Sequence, residues 1–136
     1  METPEAEGPY YRPRARERIY RGRFRVQDGG HEVMVDDWRP LVHIVRQSRD
    51  GFAWGYDGPS PNDLALALLA DALGEDPAPG WTDGRTLSDD LYRTFQQDVL
   101  RRIPPGKGWM LRRSHILRWV GERVPACRAR NGAEPV

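Results

Sequence analysis

Trp54 and Tyr56 stand two positions apart, and Gly58, Pro59 and Ser60 follow them into a long apolar run. This is the stretch whose residue types could most readily do chemistry. On a strand, residues two apart share a face. Ser60 fits the N-cap of the helix that follows, with Pro61 at the first helical position and Asp63 at the third. The start of a helix offers free amides that attract anions. A base could therefore stack on the two rings while its phosphate sat at the amides. The structural alternative is simpler: the rings cover the apolar helix, and the glycines let the backbone approach it closely. Trp54, Tyr56 and Ser60 are thus a candidate ligand or partner surface, with the covering role expected.

Other chemistry finds little support in the spacing. His31, His43 and His115 are scattered, without the i, i+4 or Cys-x-x-Cys patterns that place metal ligands on one face. Cys127 has no neighbouring base, and no Gly-x-Ser-x-Gly elbow is present. Ser60, Ser88 and Ser114 each fit a helix start. The acidic pairs Asp36–Asp37 and Asp89–Asp90 lack further marks of a site, and no phosphate loop or dinucleotide fingerprint is found. The expectation is no catalytic residue, no metal and no cofactor, with an enzymatic role left open but not favoured.

The elements that must carry these residues suit a single domain of 136 residues. No apolar stretch reaches the roughly 20 residues that cross a bilayer, and METPEAEG does not resemble a secretory signal. One cysteine, with no internal partner, fits a reducing cytoplasmic compartment. Residues 1–17 form an arginine-rich arm expected to be flexible, 18–123 one α+β domain, and 124–136 a tail expected to be disordered. Alternation predicts strands at 19–26, 33–35, 41–45 and 52–56, with a hairpin turn at Asp28-Gly29-Gly30. A helix nearly all Leu and Ala runs from Leu64 to Leu73 and stops at Gly74; being apolar all round, it belongs inside the fold. A second helix, capped by Ser88, carries Leu91, Tyr92, Phe95, Val99 and Ile103 as one stripe. Trp109-Met110-Leu111 is a short extended piece before a last helix bearing Ile116, Leu117 and Val120. The predicted fold is α+β: a small antiparallel sheet of three to four strands packed on a buried Leu/Ala-rich helix, plus two further helices.

Net charge is only +1, yet it is segregated. Twenty of the 21 basic residues are arginine, and seven arginines lie between Tyr11 and Val26. Arginine is the better bidentate phosphate partner, so Arg21, Arg23, Arg25, Arg112, Arg113 and Arg118 are candidate contacts to nucleic acid or to an acidic partner. GC-rich coding explains the same bias, and near-neutral overall charge is not a nucleic-acid signature.

Gly51-Phe52-Ala53-Trp54-Gly55-Tyr56, then Gly58, Pro61 and the Leu/Ala helix, resemble a small prokaryotic and phage domain-of-unknown-function family, family 6166. Tyr20-Arg21-Gly22 matches its opening Tyr-x-Gly strand, Tyr92 and Phe95 its Tyr-x-x-Phe helix, and Trp109-Met110-Leu111 its closing Trp-x-Leu. The resemblance spans about residues 19–121, with Pro59 and a longer loop from Gly74 to Ser88 as departures. It implies a mobile-element or phage setting and supplies no catalytic residue. Three function classes follow. The first is a non-enzymatic module that docks on a protein partner, such as a host factor. The second is a nucleic-acid-binding accessory protein using the arginine-rich segment and the last helix. The third is a small-ligand binder or enzyme at Trp54, Tyr56 and Ser60. No membrane association is expected, and no oligomeric state is implied.

Overall fold

The computed structural model describes residues 17–25, 27–75 and 86–131, the last seven by backbone alone. The expected arm up to residue 16, most of the 74–88 loop, the Cys127 side chain and the final five residues lie outside this set. The elements are β1 (Ile19–Phe24), β2 (His31–Val35), β3 (Arg39–Pro40), α1 (Pro59–Leu73), α2 (Leu87–Asp98), a 3-10 turn at Leu100–Arg102, β4 (Trp109–Arg112) and α3 (Arg113–Asn131). The residue 124 boundary therefore falls within α3. The architecture is α+β, with a four-stranded antiparallel sheet and three helices.

In the sheet the strands lie in the order β3-β2-β1-β4. Tyr20 pairs with Val35 on one side and Leu111 on the other, and Gly22 pairs with Val33 and Trp109. These positions turn inward, while Arg21 and its partners Met34 and Met110 turn outward. The β1–β2 hairpin closes at Asp28-Gly29-Gly30 as expected: Gly29 has φ of 72°, and the Arg25 N–H donates to the Gly30 carbonyl at 2.7 Å.

Two of the expected strands are not strands, and two segments not expected as strands, Arg39–Pro40 and Trp109–Arg112, are. After Pro40, whose ring nitrogen has no hydrogen to donate, the Leu41 N–H makes a last ladder bond to the Val33 carbonyl at 3.0 Å. Residues 41–45 then leave the sheet. Residues 52–56 follow no ladder either: Gly55, at φ of 90°, donates instead to the Leu100 carbonyl at 3.0 Å. The fourth strand is Trp109–Arg112, which adds to the free edge of β1. Period-two alternation marks extended chain, but it does not say what pairs with it.

The Leu/Ala helix is the centre of the fold, as its composition requires. Every residue from Pro61 to Ala70 is buried. The inner face of the sheet packs on it through Tyr20, Val33 and Val35, α2 through Leu91 and Phe95, and α3 through Ile116 and Val120. Each fully buried leucine contributes roughly 1.5–3 kcal/mol, so Leu64, Leu66, Leu68 and Leu69 make this rod the main apolar store. The helix begins earlier than its sequence suggests, with extended Gly58 at the cap and no side-chain cap bond. Ser60 is therefore not the N-cap. Gly74 stops it in the left-handed conformation, as expected. For α2 the cap is Thr86 rather than Ser88, its hydroxyl accepting from the Asp89 N–H.

Asp71 interrupts the apolar run near the end of α1 and gathers three donors. Arg18 approaches at 2.6 Å, the Tyr20 hydroxyl at 2.7 Å and Arg39 at 3.0 Å. Burial pushes this carboxyl upward, but the hydrogen bonds from Tyr20, Arg18 and Arg39 outweigh it and hold the group below the usual range. One carboxylate thus ties α1 to the start of β1 and to β3.

Two predictions arise. A folded pKa below the unfolded value of about 3.9 means that the Asp71 contribution is complete above that value and is lost as pH falls through the lower, folded one. Urea unfolding followed from neutral to strongly acidic pH should show this loss. Asp71→Asn should lower stability at neutral pH by about 1–3 kcal/mol and flatten the acid limb. Second, a Cβ on Gly22 would run into the Trp109 ring, whereas one on Gly121 meets nothing within 4 Å. Gly22→Ala should cost about 1–3 kcal/mol by overpacking. Gly121→Ala, inside α3, should be neutral or stabilising by up to about 1 kcal/mol, as denaturation midpoints will show.

Candidate interaction surface

Residues 41–58 join the sheet to α1 without a ladder of their own, and side chains hold them in place. Asp63, 1% exposed, is the main anchor. Its carboxylate accepts the backbone N–H groups of Arg46 at 3.2 Å, Gln47 at 3.1 Å and Ser48 at 3.1 Å, and pairs with His43 Nε2 at 2.9 Å. The sequence places Asp63 near the start of a helix, where it would ordinarily accept from its own first turn. Here it serves the neighbouring segment instead. Arg46 forms a two-point pair with Asp89 of α2, and Ser48 shares a hydrogen bond of 2.7 Å with Ser60. Asn62, Gln47, Tyr92, Gln96 and Asp57 complete a polar chain across the same side of α1 and α2.

The candidate residues Trp54, Tyr56 and Ser60 are not brought onto one face. Trp54 is 2% exposed and donates Nε1–H to the Lys107 carbonyl at 2.8 Å. Its ring meets Trp109 edge-on at 5.5 Å between centroids and His31 at 4.6 Å. Tyr56 is 48% exposed and lies over the helix start, where a Cβ on Gly58 would come within 2.8 Å of its ring. Ser60 is engaged with Ser48. The first turn of α1 is also poor in free amides. Pro59 and Pro61 have none, and the Asn62 N–H already donates to the Gly58 carbonyl. An anion would find a single amide, that of Ser60.

Five of the six candidate arginines have acceptors within the domain. Arg21 pairs with Asp37 at 3.2 Å, Arg23 with Glu32 at 2.9 Å and Arg25 with Asp28 at 3.2 Å. Arg112 stands 3.8 Å from Glu17, and Arg113 donates to the Ala72 carbonyl at 2.8 Å. Arg118 is exposed on α3. Glu17 also accepts the Ser114 N–H and hydroxyl at the start of α3, and these bonds hold its carboxyl below the usual range.

Sequence reading did not single out Trp38. It is 72% exposed, the most exposed of the large hydrophobic side chains among the described residues. Asp36 and Asp37, at φ of 54° and 62°, form the turn before it, and the Trp38 N–H donates to the Val35 carbonyl at 3.2 Å. Two left-handed residues closed by this bond make a hairpin turn of the type that matches strand twist. The strain of left-handed aspartates is offset by side-chain bonds: Asp36 Oδ1 accepts the Ile19 N–H at 3.0 Å, and Asp37 meets Arg21. Val42, 48% exposed, and Val45, 53% exposed, follow Trp38 in the chain, just beyond the point where it leaves the sheet. The available signal was the Asp-Asp-Trp sequence between two strand-like runs.

If Asp63 organises this border, Asp63→Ala should cost at least about 3 kcal/mol, because several donors lose their acceptor at once. Asp63→Asn should fall between, since its amide turns two hydrogens toward existing donors. Hydrogen exchange should show protection lost first at the amides of 46–48.

No curated protein and no solved structure matches the chain. Residues 20–122 match the Family of unknown function (DUF6166), and no helix of the described residues is long and apolar enough to cross a membrane. With the matched span running from the inward Tyr20 of β1 into α3 and enclosing the sheet, the buried rod and the Trp38 border, the chain belongs to that family of unknown function.

Proposed function

We propose that this domain is a non-enzymatic protein-interaction module that docks through the β3 border of its sheet. One observation carries the reading: Trp38, Val42 and Val45, three of the five large hydrophobics exposed among the described residues, fall within residues 38–45. Tryptophan is enriched among residues that dominate binding energy, since its ring buries much area at little cost in conformational freedom. Its support is firm: the turn below it is closed by backbone and aspartate bonds, and the following segment is tied down by Asp63. A preorganised side chain loses less entropy on binding. The edge itself is a poor template for strand addition, being two residues long and including Pro40, so side-chain docking is the mode proposed. The internal ion pairs of Arg21, Arg23 and Arg25 favour a protein partner over nucleic acid. In the finer reading the partner is a host factor met in the cytoplasm by a phage or mobile-element protein, the compartment following from the single cysteine and the setting from the family resemblance.

Trp38→Ala should leave the unfolding midpoint within about 0.5 kcal/mol, as exposed substitutions do. Partners retained from host lysate by the unaltered protein should bind this variant about 30-fold more weakly or worse, the equivalent of about 2 kcal/mol. Equal recovery of the same partners by Trp38→Ala and by Val45→Asp would remove the reading.

A further inference from the structure

Beneath the β1–β2 hairpin lies a cleft of about 500 Å³, within the range of small-molecule sites. Its walls include Arg25, Glu32, Leu41, His43, Asp50 and Phe52. His43 is held in a defined way. Its Nε2 faces an Asp63 oxygen that already receives backbone N–H groups, so Asp63 acts as acceptor and Nε2 carries the proton. In the neutral ring Nδ1 is then an acceptor, and among the described residues it makes no hydrogen bond. The ring also packs on Phe52, with centroids 4.7 Å apart.

The other polar groups of the cleft favour the same kind of ligand. The Asp50 carboxylate makes no hydrogen bond or ion pair among the described residues; only its backbone N–H is used, toward Ser48. Glu32 has one oxygen on Arg23 and keeps the other. Arg25, the cationic member, already meets Asp28 through Nε and the His31 carbonyl through Nη1. His31 also lines the cleft, and burial followed by repulsion from Arg25 lowers its pKa, so it adds no competing charge at neutral pH. Acceptors therefore outnumber free donors, and the remaining wall is apolar.

We propose that this cleft is a binding site for a small flat organic cation of the amidinium or guanidinium type. Its N–H groups would meet His43 Nδ1 and the Asp50 carboxylate, and its plane would lie against Phe52, whose ring face also attracts cations. Such a group can come from a free aromatic amidine-like molecule or from an arginine side chain on a peptide. None of Trp38, Val42 or Val45 lines this cleft, so cation binding here is independent of the docking surface.

The test is NMR titration of the full chain at neutral pH, following the His43 imidazole nitrogens and the Phe52 ring protons. Benzamidinium is the aromatic probe, N-acetyl-arginine amide the peptide-borne one, and benzoate the control of like shape and opposite charge. At least one cation should shift these signals and saturate with Kd in about the millimolar range or tighter; the tighter of the two identifies the source. Benzoate should leave them in place. Asp50→Asn, an exposed substitution that keeps the fold, should weaken the cation about threefold to tenfold, and His43→Phe by tenfold or more. Binding of neither cation, equal binding of benzoate, or unchanged affinity in both variants would overturn the assignment.

Discussion

Three backbone N–H groups and one imidazole converge on the Asp63 carboxylate, and the form of the molecule between the sheet and its central helix depends on that convergence. A segment without a ladder must satisfy its buried amides in some other way. Here one side chain on a buried helix does so for three successive residues. The arrangement is costly to disturb because a buried carboxylate without donors is unfavourable, as are buried donors without an acceptor. Asp71 repeats the device two turns further along the rod, joining β1 and β3 to it. The apolar helix is therefore secured at two points by polar groups, with leucines filling the interval.

Much of this architecture is legible in the residues, and what is legible has a physical reason. A helix of Leu and Ala on all sides must be enclosed, so its central position follows from composition alone. Gly74 and the Asp28-Gly29-Gly30 turn are readable because positive φ is a local requirement that few residues meet. Strand pairing is not local. Leu41–Val45 and Trp109–Arg112 look alike as short extended runs, yet the first leaves the ladder after the Leu41 N–H, with the His43 ring held on Asp63, while the second pairs with β1. The helix start was misplaced for a related reason: Ser60 suits a cap by type, but Ser48 takes its hydroxyl and extended Gly58 occupies the cap.

Site residues divide along the same line. Trp54 and Tyr56 are marked by their period, yet one is drawn into the core by Trp109 and the Lys107 carbonyl while the other stays outside. Their difference depends on residues about fifty positions away. Trp38 escapes notice because a single aromatic after two aspartates has no periodic company. His43 is visible only as an isolated histidine, since its partner lies twenty residues on, in another element. In this chain, Trp38 faces outward from a rigid turn, whereas Trp54 of the motif that first draws the eye is buried.

The pairing of β1 with β4 also bears on how the chain assembles. Ile19 meets Arg112, so this half of the sheet joins residues more than ninety positions apart. Closing so long a loop costs entropy before any contact repays it, which slows assembly in proteins dominated by distant pairings. On a ribosome, the β1–β2 hairpin and the rod would emerge well before their final strand. Until Trp109 arrives to lie against Gly22, the growing chain carries an open sheet edge in need of shelter, and the sheet is completed only after the more than ninety residues between Ile19 and Arg112 have been made.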